Sequence, residues 1–109
     1  MFINGQYVEA KTSSRLTCYS PLDNSVVSDA VHVAGQEEVD YAVAAAEPAF
    51  PAWSGKRPEE RAKILFKIAD LLNDNADELA RLESLCSGKP IAGSKAFEIP
   101  LAASTLRCK

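Results

Sequence analysis

Apolar residues recur at helical spacing through the middle of the chain and predict two consecutive helices over residues 58–87. Pro58 suits a first helical position, because its missing N–H would have no partner there. Asn75 is a favourable N-cap for the second helix, with Glu78 three residues on as its capping-box partner. Gly88 is placed to end that helix in a left-handed turn. The first helix carries an apolar stripe made of Ile64, Leu65, Ile68, Ala69, Leu71 and Leu72. The pattern therefore predicts a helical hairpin whose apolar faces need a partner.

Short extended stretches dominate the first third of the chain. The Asn4-Gly5 pair favours a type I′ turn, since both central residues need positive φ, and it predicts a small hairpin. Further strands are predicted over 16–19 and 26–33, on either side of a turn-rich segment. These strands are too short and too few to form a stable sheet unless another element covers them.

Proline interrupts the helical pattern at two places. Helical period begins after Gly35, and Pro48 should kink or end that helix because it cannot donate a backbone hydrogen bond. A last helical segment follows residues 88–90, and Pro100 falls inside it and should bend it. One side of this segment carries Ala96, Ile99, Ala103 and Leu106.

The predicted elements define an α+β fold with short N-terminal antiparallel β strands followed by helices. Residues 1–34 are expected to form a β arm and residues 36–107 a helical part, both within one domain over 1–109.

Composition narrows the classes of function. Hydrophobic residues make up 47% of the chain and charged residues 25%, as in a globular protein. A net charge of −3 argues against nucleic acid or an acidic membrane as a partner. The longest apolar run, 41–46, is far too short to cross a bilayer, and no secretory signal is visible. Three widely spaced cysteines without a CxxC pair indicate reduced thiols, as in the cytoplasm or an organelle matrix.

No group of residues forms a self-contained active site in the sequence. Cys86 lies at the predicted end of a helix, where the dipole opposes thiolate formation, and Cys18 has no charged neighbour. Cys108 lies between two cations but lacks an accompanying base, and His32 is the single histidine, so a zinc site lacks ligands. The glutamates that could act as bases are better explained by capping, dipole or solvated roles: Glu59, Glu60, Glu78 and Glu83. Residues 93–95 lack the earlier glycine of a phosphate-binding loop.

The order of short motifs along the chain is more specific than any one of them. They are FINGQYV (2–8), SPLDNSVV (20–27), VDYAVAAA (39–46), AFPAW (49–53), RAKIL (61–65), ELA (78–80), LES (82–84) and GKP (88–90). This series closely resembles the N-terminal segment of NAD(P)-dependent aldehyde dehydrogenases, and the resemblance covers essentially the whole chain.

The resemblance implies an oxidoreductase that converts aldehydes to carboxylic acids with NAD or NADP. In that family a cysteine thiolate attacks the carbonyl, hydride passes to the nicotinamide, and a glutamate-activated water hydrolyses the thioester. Those residues and the Rossmann-like sheet lie beyond this chain, so no catalytic, cofactor-binding or metal-binding residue is assigned here. We expect the chain alone to be inactive and to bind no cofactor. An aldehyde substrate is expected only for the complete enzyme.

The resemblance also implies a structural role for this segment. It implies an N-terminal arm and outer helices that pack around the dinucleotide-binding domain. The segment after residues 88–90 is similar to the helix that borders the substrate tunnel, so Phe97 and Leu101 are candidate tunnel-lining residues, with ordinary packing as the alternative. Cys86 stands where many members have an aspartate that helps to hold a structural monovalent cation. Pro48 also departs from the helix-compatible residue that is usual there.

The helical pattern breaks off at 107–109 without a C-cap, so we expect a fragment, from a truncated gene model, a splice product or a trimmed clone. Its alternative function is that of a non-catalytic helical interaction module, which docks on full-length subunits or on itself. An independent helical adaptor is disfavoured, because the strand motifs match the family as well as the helices do.

Overall fold

A computed structural model describes residues 1–108 and divides the chain into two compact units. The first unit comprises residues 1–18 and 28–56, and the second comprises residues 19–27 and the chain from Arg57 onward. Short strands come first and helices follow, which confirms the predicted α+β class. No helix among the described residues is long and apolar enough to cross a membrane.

The chain opens with the predicted hairpin. Strand β1 (Phe2–Ile3) pairs antiparallel with β2 (Gln6–Tyr7), so that Phe2 lies opposite Tyr7. Asn4 and Gly5 both have positive φ, of 53° and 76°, which confirms the type I′ turn. A second two-stranded sheet joins β3 (Arg15–Tyr19) to β4 (Val26–His32).

Helix α1 (Gln36–Ala46) ends just before Pro48, as predicted. A 3₁₀ turn over Glu47–Ala49 carries this proline and leads directly into the short helix α2 (Phe50–Ser54). The tighter turn accommodates a residue that has no N–H to donate to an α-helical ladder.

The second unit is helical apart from residues 19–27. It contains α3 (Pro58–Asp74), α4 (Ala76–Ser87), a short turn α5 (Ile91–Gly93), a π-helical segment (Ser94–Glu98) and α6 (Ile99–Arg107). The two helices predicted over residues 58–87 are both present. The main packing partner of α3 is α6, a pairing that the apolar periodicity alone does not predict.

The predicted capping box of α4 is wrong. Asn75 holds the N-cap position, but its side chain makes no capping bond and Glu78 does not complete the box. The Asn75 amide instead donates to the carbonyl of Leu71 at 2.8 Å and satisfies the end of the preceding helix. Asn75 is the only residue between α3 and α4, so its side chain can satisfy a backbone group at only one of the two helix ends. It bonds to the unpaired carbonyl at the end of α3. The opposite end is as predicted, since Gly88 has φ +76° and caps α4 in the left-handed region.

Alanines provide the buried apolar residues of the helical unit. Ala69 on α3 and Ala80 on α4 have no exposed surface, and Ala103 on α6 retains 1%. The rest of the predicted stripe stays accessible, with 42% of Ile68 and 49% of Leu71 exposed. The helices therefore approach through small side chains and leave large apolar ones uncovered.

The bend predicted near Pro100 takes the form of a π-helical turn. The Ile99 N–H bonds to the carbonyl of Ser94, five residues back. The burial pattern follows this wider turn, because Ser94 is buried whereas Ala96 is exposed. Ala96, which was predicted to share one side with Ile99 and Ala103, is more exposed than either of them, as expected where an extra residue widens the turn.

A buried carboxylate fixes the start of α1 in the first unit. Glu38 retains only 6% of its surface and accepts the N–H of Lys11 and the N–H of Gly35, each at 2.7 Å. These two backbone bonds, that of Lys11 first, lower the pKa of Glu38 below its ordinary 4.5 despite partial desolvation. The side chain thus joins the loop after β2 to the N-terminus of α1. The sequence alone does not distinguish Glu38 from its neighbour Glu37 for this role.

Replacing Gly88 by alanine is expected to destabilise the fold by roughly 2 kcal/mol. The residue would carry a positive φ, and its new Cβ would lie 2.8 Å from Cγ of the Pro21 ring. Gly93→Ala is the matched control, because its φ is −68° and no atom lies within 4 Å of the added carbon. We expect Gly93→Ala to be neutral or to stabilise by up to ~1 kcal/mol. Urea unfolding followed by circular dichroism measures both, and equal midpoints would contradict the assignment.

Replacing Glu38 by glutamine should lower the free energy of unfolding at neutral pH, because an amide can accept one N–H bond but presents a donor to the other. Since the folded-state pKa of Glu38 is depressed, its stabilisation is complete above about 4.5 and is lost as pH falls through the folded value. The difference between wild type and variant should therefore shrink in acid. Glu37→Gln, on an exposed pair with Lys11, is the control and should have little effect. A deficit that is constant from pH 3 to pH 7 would be inconsistent with this role.

Candidate functional site

The two candidate tunnel residues lie on the outside of the helical unit. Phe97 is in the π-helical segment with 74% of its surface exposed, and Leu101 is on α6 with 66% exposed. They line separate clefts, Leu101 one of about 570 Å³ and Phe97 one of about 270 Å³. The structure therefore presents both side chains to the surface but does not bring them into one cleft.

A polar cluster lies between these clefts, and we call it the Lys89 cluster: Glu83, Lys89, Ser94 and Glu98. The ammonium of Lys89 lies 2.6 Å from Oε1 of Glu98 and 3.3 Å from Oε1 of Glu83. The hydroxyl of Ser94, which is 99% buried, donates to the other oxygen of Glu98 at 3.0 Å. Lys89 and Glu98 line both clefts.

The cluster is charged across the physiological range of pH. Lys89 lowers the pKa of Glu98, with a smaller contribution from the Ser94 hydroxyl. Glu98 first and Glu83 second raise the pKa of Lys89 above its ordinary value of 10.5. A carboxylate whose pKa is lowered in the folded state stabilises the fold at pH values above its unfolded-state pKa. An ammonium group whose pKa is raised in the folded state stabilises the fold at pH values below its unfolded-state pKa. The interaction is therefore complete from about pH 4.5 to about pH 10.5.

Most of this cluster is not predicted by the sequence. From the sequence, Glu83 is better explained as part of a solvated face than as a base, and Ser94 belongs to an incomplete phosphate loop. Ser94 and Glu98 are four residues apart, a spacing at which helical side chains meet. The spacing of Ser94 and Glu98 could have indicated their contact from the sequence. The bridge from Lys89 to Glu83 could not be predicted in this way, because it depends on the turn at Gly88.

The described cysteines lie in three different elements or their flanks: in β3, in α4 and after α6. Cys18 is half-buried in β3, Cys86 and Cys108 are exposed, and none forms a disulfide. The Nδ1 atom of His32 accepts the N–H of Ala10 at 3.2 Å, so this histidine joins β4 to the loop after β2. No cluster of three metal-ligating side chains occurs within residues 1–108.

The described residues do not fit a dinucleotide. Such cofactors bind at the carboxyl edge of a parallel sheet, beside a glycine-rich turn that opens a helix. In the part of the chain that the structure covers, both sheets have two strands, and neither is followed by a glycine-rich phosphate loop.

Comparison with known proteins identifies the family. The model of the aldehyde dehydrogenase family matches residues 7–109. The chain belongs to the aldehyde dehydrogenase family. Members of this family are oxidoreductases, and the resemblance noted in the sequence is confirmed.

Curated relatives of this aldehyde dehydrogenase chain are much longer than it is. The chain is 40% identical over 106 residues to 2-aminomuconic semialdehyde dehydrogenase of Bos taurus, covering 97% of this chain and 21% of that protein. It is 40% identical over 109 residues to phenylacetaldehyde dehydrogenase of Pseudomonas fluorescens, covering 98% and 22%. The chain therefore spans about a fifth of the length of the curated relatives it matches.

Solved structures give the same result for the fold. PnpE from Pseudomonas, crystallised in complex with nicotinamide adenine dinucleotide, superposes with a TM-score of 0.91 at 40% identity. The match covers 97% of this chain and 22% of PnpE. The structure is thus a partial aldehyde dehydrogenase fold.

The cation site that the family resemblance implies is not supported by the residues present. Cys86 lies exposed in the last turn of α4, where the resemblance implies an aspartate. Hard cations take oxygen ligands, and a thiol is a soft donor. The donor at this position therefore does not suit a monovalent metal ion.

Proposed function

We propose that this chain forms the N-terminal part of an NAD(P)-dependent aldehyde dehydrogenase that oxidises aldehydes to carboxylic acids. Its role in such a subunit is structural: it packs against the dinucleotide-binding domain and borders the substrate tunnel. The nucleophilic cysteine, the glutamate base and the cofactor site belong to the other four-fifths of the subunit. The chain alone is inactive in this proposal.

The observation that carries the proposal is the exposure of large apolar side chains by both units. On α3, for example, Leu65 and Phe66 keep more than a third of their surfaces accessible. Contiguous apolar surface of this kind marks an interface with another protein surface. Since family members are about five times longer, the remainder of the subunit is the natural occupant.

Phe97 and Leu101 are proposed to line the mouth of the tunnel. Both are large apolar side chains with most of their surface uncovered, and each adjoins a cleft. A binding site for an aldehyde side chain needs apolar walls of this kind. Their role depends on the complete subunit, in which the two clefts border the same substrate.

The purified chain should form no NADH or NADPH when mixed with cofactor and either short or long aldehydes. The reason is that thiolate, base and cofactor must converge on one carbon, and this chain supplies none of them in the proposal. Absorbance at 340 nm follows the reaction, with the intact Pseudomonas fluorescens relative as the positive control. Sustained aldehyde-dependent turnover by the chain would refute the proposal.

Light scattering, which measures the mass of a complex, distinguishes a structural part of one subunit from an independent docking module. A docking module would bind the intact enzyme or itself with defined stoichiometry, because its exposed apolar faces would be its binding surfaces. A stoichiometric complex with the folded relative would favour the module.

A hybrid subunit tests the tunnel residues. In it, this chain replaces the matching segment of the Pseudomonas fluorescens phenylacetaldehyde dehydrogenase. We expect the hybrid to oxidise phenylacetaldehyde, and Phe97→Ala or Leu101→Ala to lower kcat/KM roughly ten-fold, because each removes an apolar wall. Phe50→Ala, on α2 with 65% of the residue's surface exposed, is the control and should leave kcat/KM within about two-fold. An inactive hybrid, or equal effects at Phe50 and Phe97, would argue against the proposal.

A further inference from the structure

Packing does not determine where Phe97 and Leu101 point. About three-quarters of Phe97 and two-thirds of Leu101 are exposed, so few neighbours restrain either side chain. Their directions therefore depend on the backbone that carries them. That backbone is the junction between the π-helical segment and α6.

This junction has a specific register that another arrangement could replace. In the observed turn the Ile99 N–H bonds to the carbonyl five residues back, at Ser94. An α-helical turn would use the carbonyl four residues back and would rotate the following side chains by about 100°. Such a shift would change the direction of Phe97 relative to Leu101, so the register matters to anything that both residues contact.

Side chains of the Lys89 cluster hold the two ends of the π-helical segment. Ser94 is its first residue and Glu98 its last, and the bond between them spans the wide turn. Lys89 then joins Glu98 to Glu83 on α4, which ties the turn to a second helix. One cation between two carboxylates forms a network, which is a stronger restraint than an isolated surface pair.

The same pair of residues is shared by the two clefts. Lys89 and Glu98 line the cleft that contains Leu101 and the cleft that contains Phe97. A change in the position of Glu98 would therefore alter both clefts together, without any change to their apolar side chains.

We propose that Lys89 is a positioning residue for the substrate tunnel of this aldehyde dehydrogenase. By bridging Glu83 and Glu98 it keeps the π-helical register, and that register sets the spacing of Phe97 and Leu101. The consequence is discrimination between bulky aldehydes, which reach both side chains, and short aldehydes, which do not. The inference rests on the proposed function, because it assumes that these two residues meet substrate.

The test compares kcat/KM for phenylacetaldehyde with kcat/KM for acetaldehyde in the hybrid subunit described above. Lys89→Met should lower this ratio about five-fold through KM for the bulky substrate, because the wall it meets is displaced. Lys95→Met is the matched control, since Lys95 forms its ion pair with Asp77 on α4, whereas the cation paired with Glu98 is Lys89. Lys89→Arg, which retains the charge, should restore most of the ratio.

A second measurement reports on the register itself. Amide hydrogen exchange of the full 109-residue chain should accelerate about ten-fold at residues 94–99 in Lys89→Met but not in Lys95→Met. Equal ratios and equal exchange in the two variants would overturn the inference. If Phe97→Ala and Leu101→Ala alter the ratio while Lys89→Met does not, this inference fails and the proposed function stands. If neither alanine variant alters it, the proposed tunnel-lining role of Phe97 and Leu101 fails.

Discussion

The helices of the second unit meet through alanine, and this constraint determines what their other faces can do. A buried methyl group lets two backbones approach closely but removes little apolar surface from water. A fully buried leucine or isoleucine contributes about 1.5–3 kcal/mol, several times more. In this chain those larger residues, such as Leu65 and Ile68, remain more than one-third exposed. Much of the hydrophobic free energy available to the unit is therefore not gained within it. Under the proposed function, the rest is gained against the remainder of the subunit.

Where apolar packing is thin, carboxylates with two partners hold the backbone. Glu38 accepts two backbone N–H groups in the first unit, and Glu98 accepts Ser94 and Lys89 in the second. Both sit beside a helix boundary or an irregular turn, where the regular ladder leaves the backbone less determined. Polar restraint of this sort is directional, whereas apolar contact is not, so it can select one register among several. This is the physical reason that a half-exposed lysine can matter to the position of two apolar side chains.

Features of the fold that follow from the covalent chemistry of one residue could be predicted from the sequence. Asn4-Gly5, Pro48 and Gly88 each restrict φ or remove a donor, and the structure places a turn, a helix break and a left-handed cap at these positions. Features that depend on competition between several possible hydrogen-bond or packing partners could not be predicted from the sequence. Asn75 could cap either of two helices, and periodicity did not indicate that its amide would serve the first. The pairing of α3 with α6 likewise depends on long-range packing, which local spacing does not encode.

The candidate site likewise has features that the sequence predicts and features that it does not. Phe97 and Leu101 are assigned to the tunnel by the family resemblance, in which they lie one helical turn apart, and both are exposed. The π-helical turn before Pro100 changes this, because a proline inside the helix removes an N–H and the backbone responds by widening. Sequence reasoning anticipates a distortion at such a proline but not which register replaces the α-helix. That choice depends on two side chains nine residues apart, because Lys89 pairs with Glu98 at the end of the π-helical segment. A helix that borders a binding site can thus keep its apolar residues unchanged and still alter the site through the polar residues that hold its register.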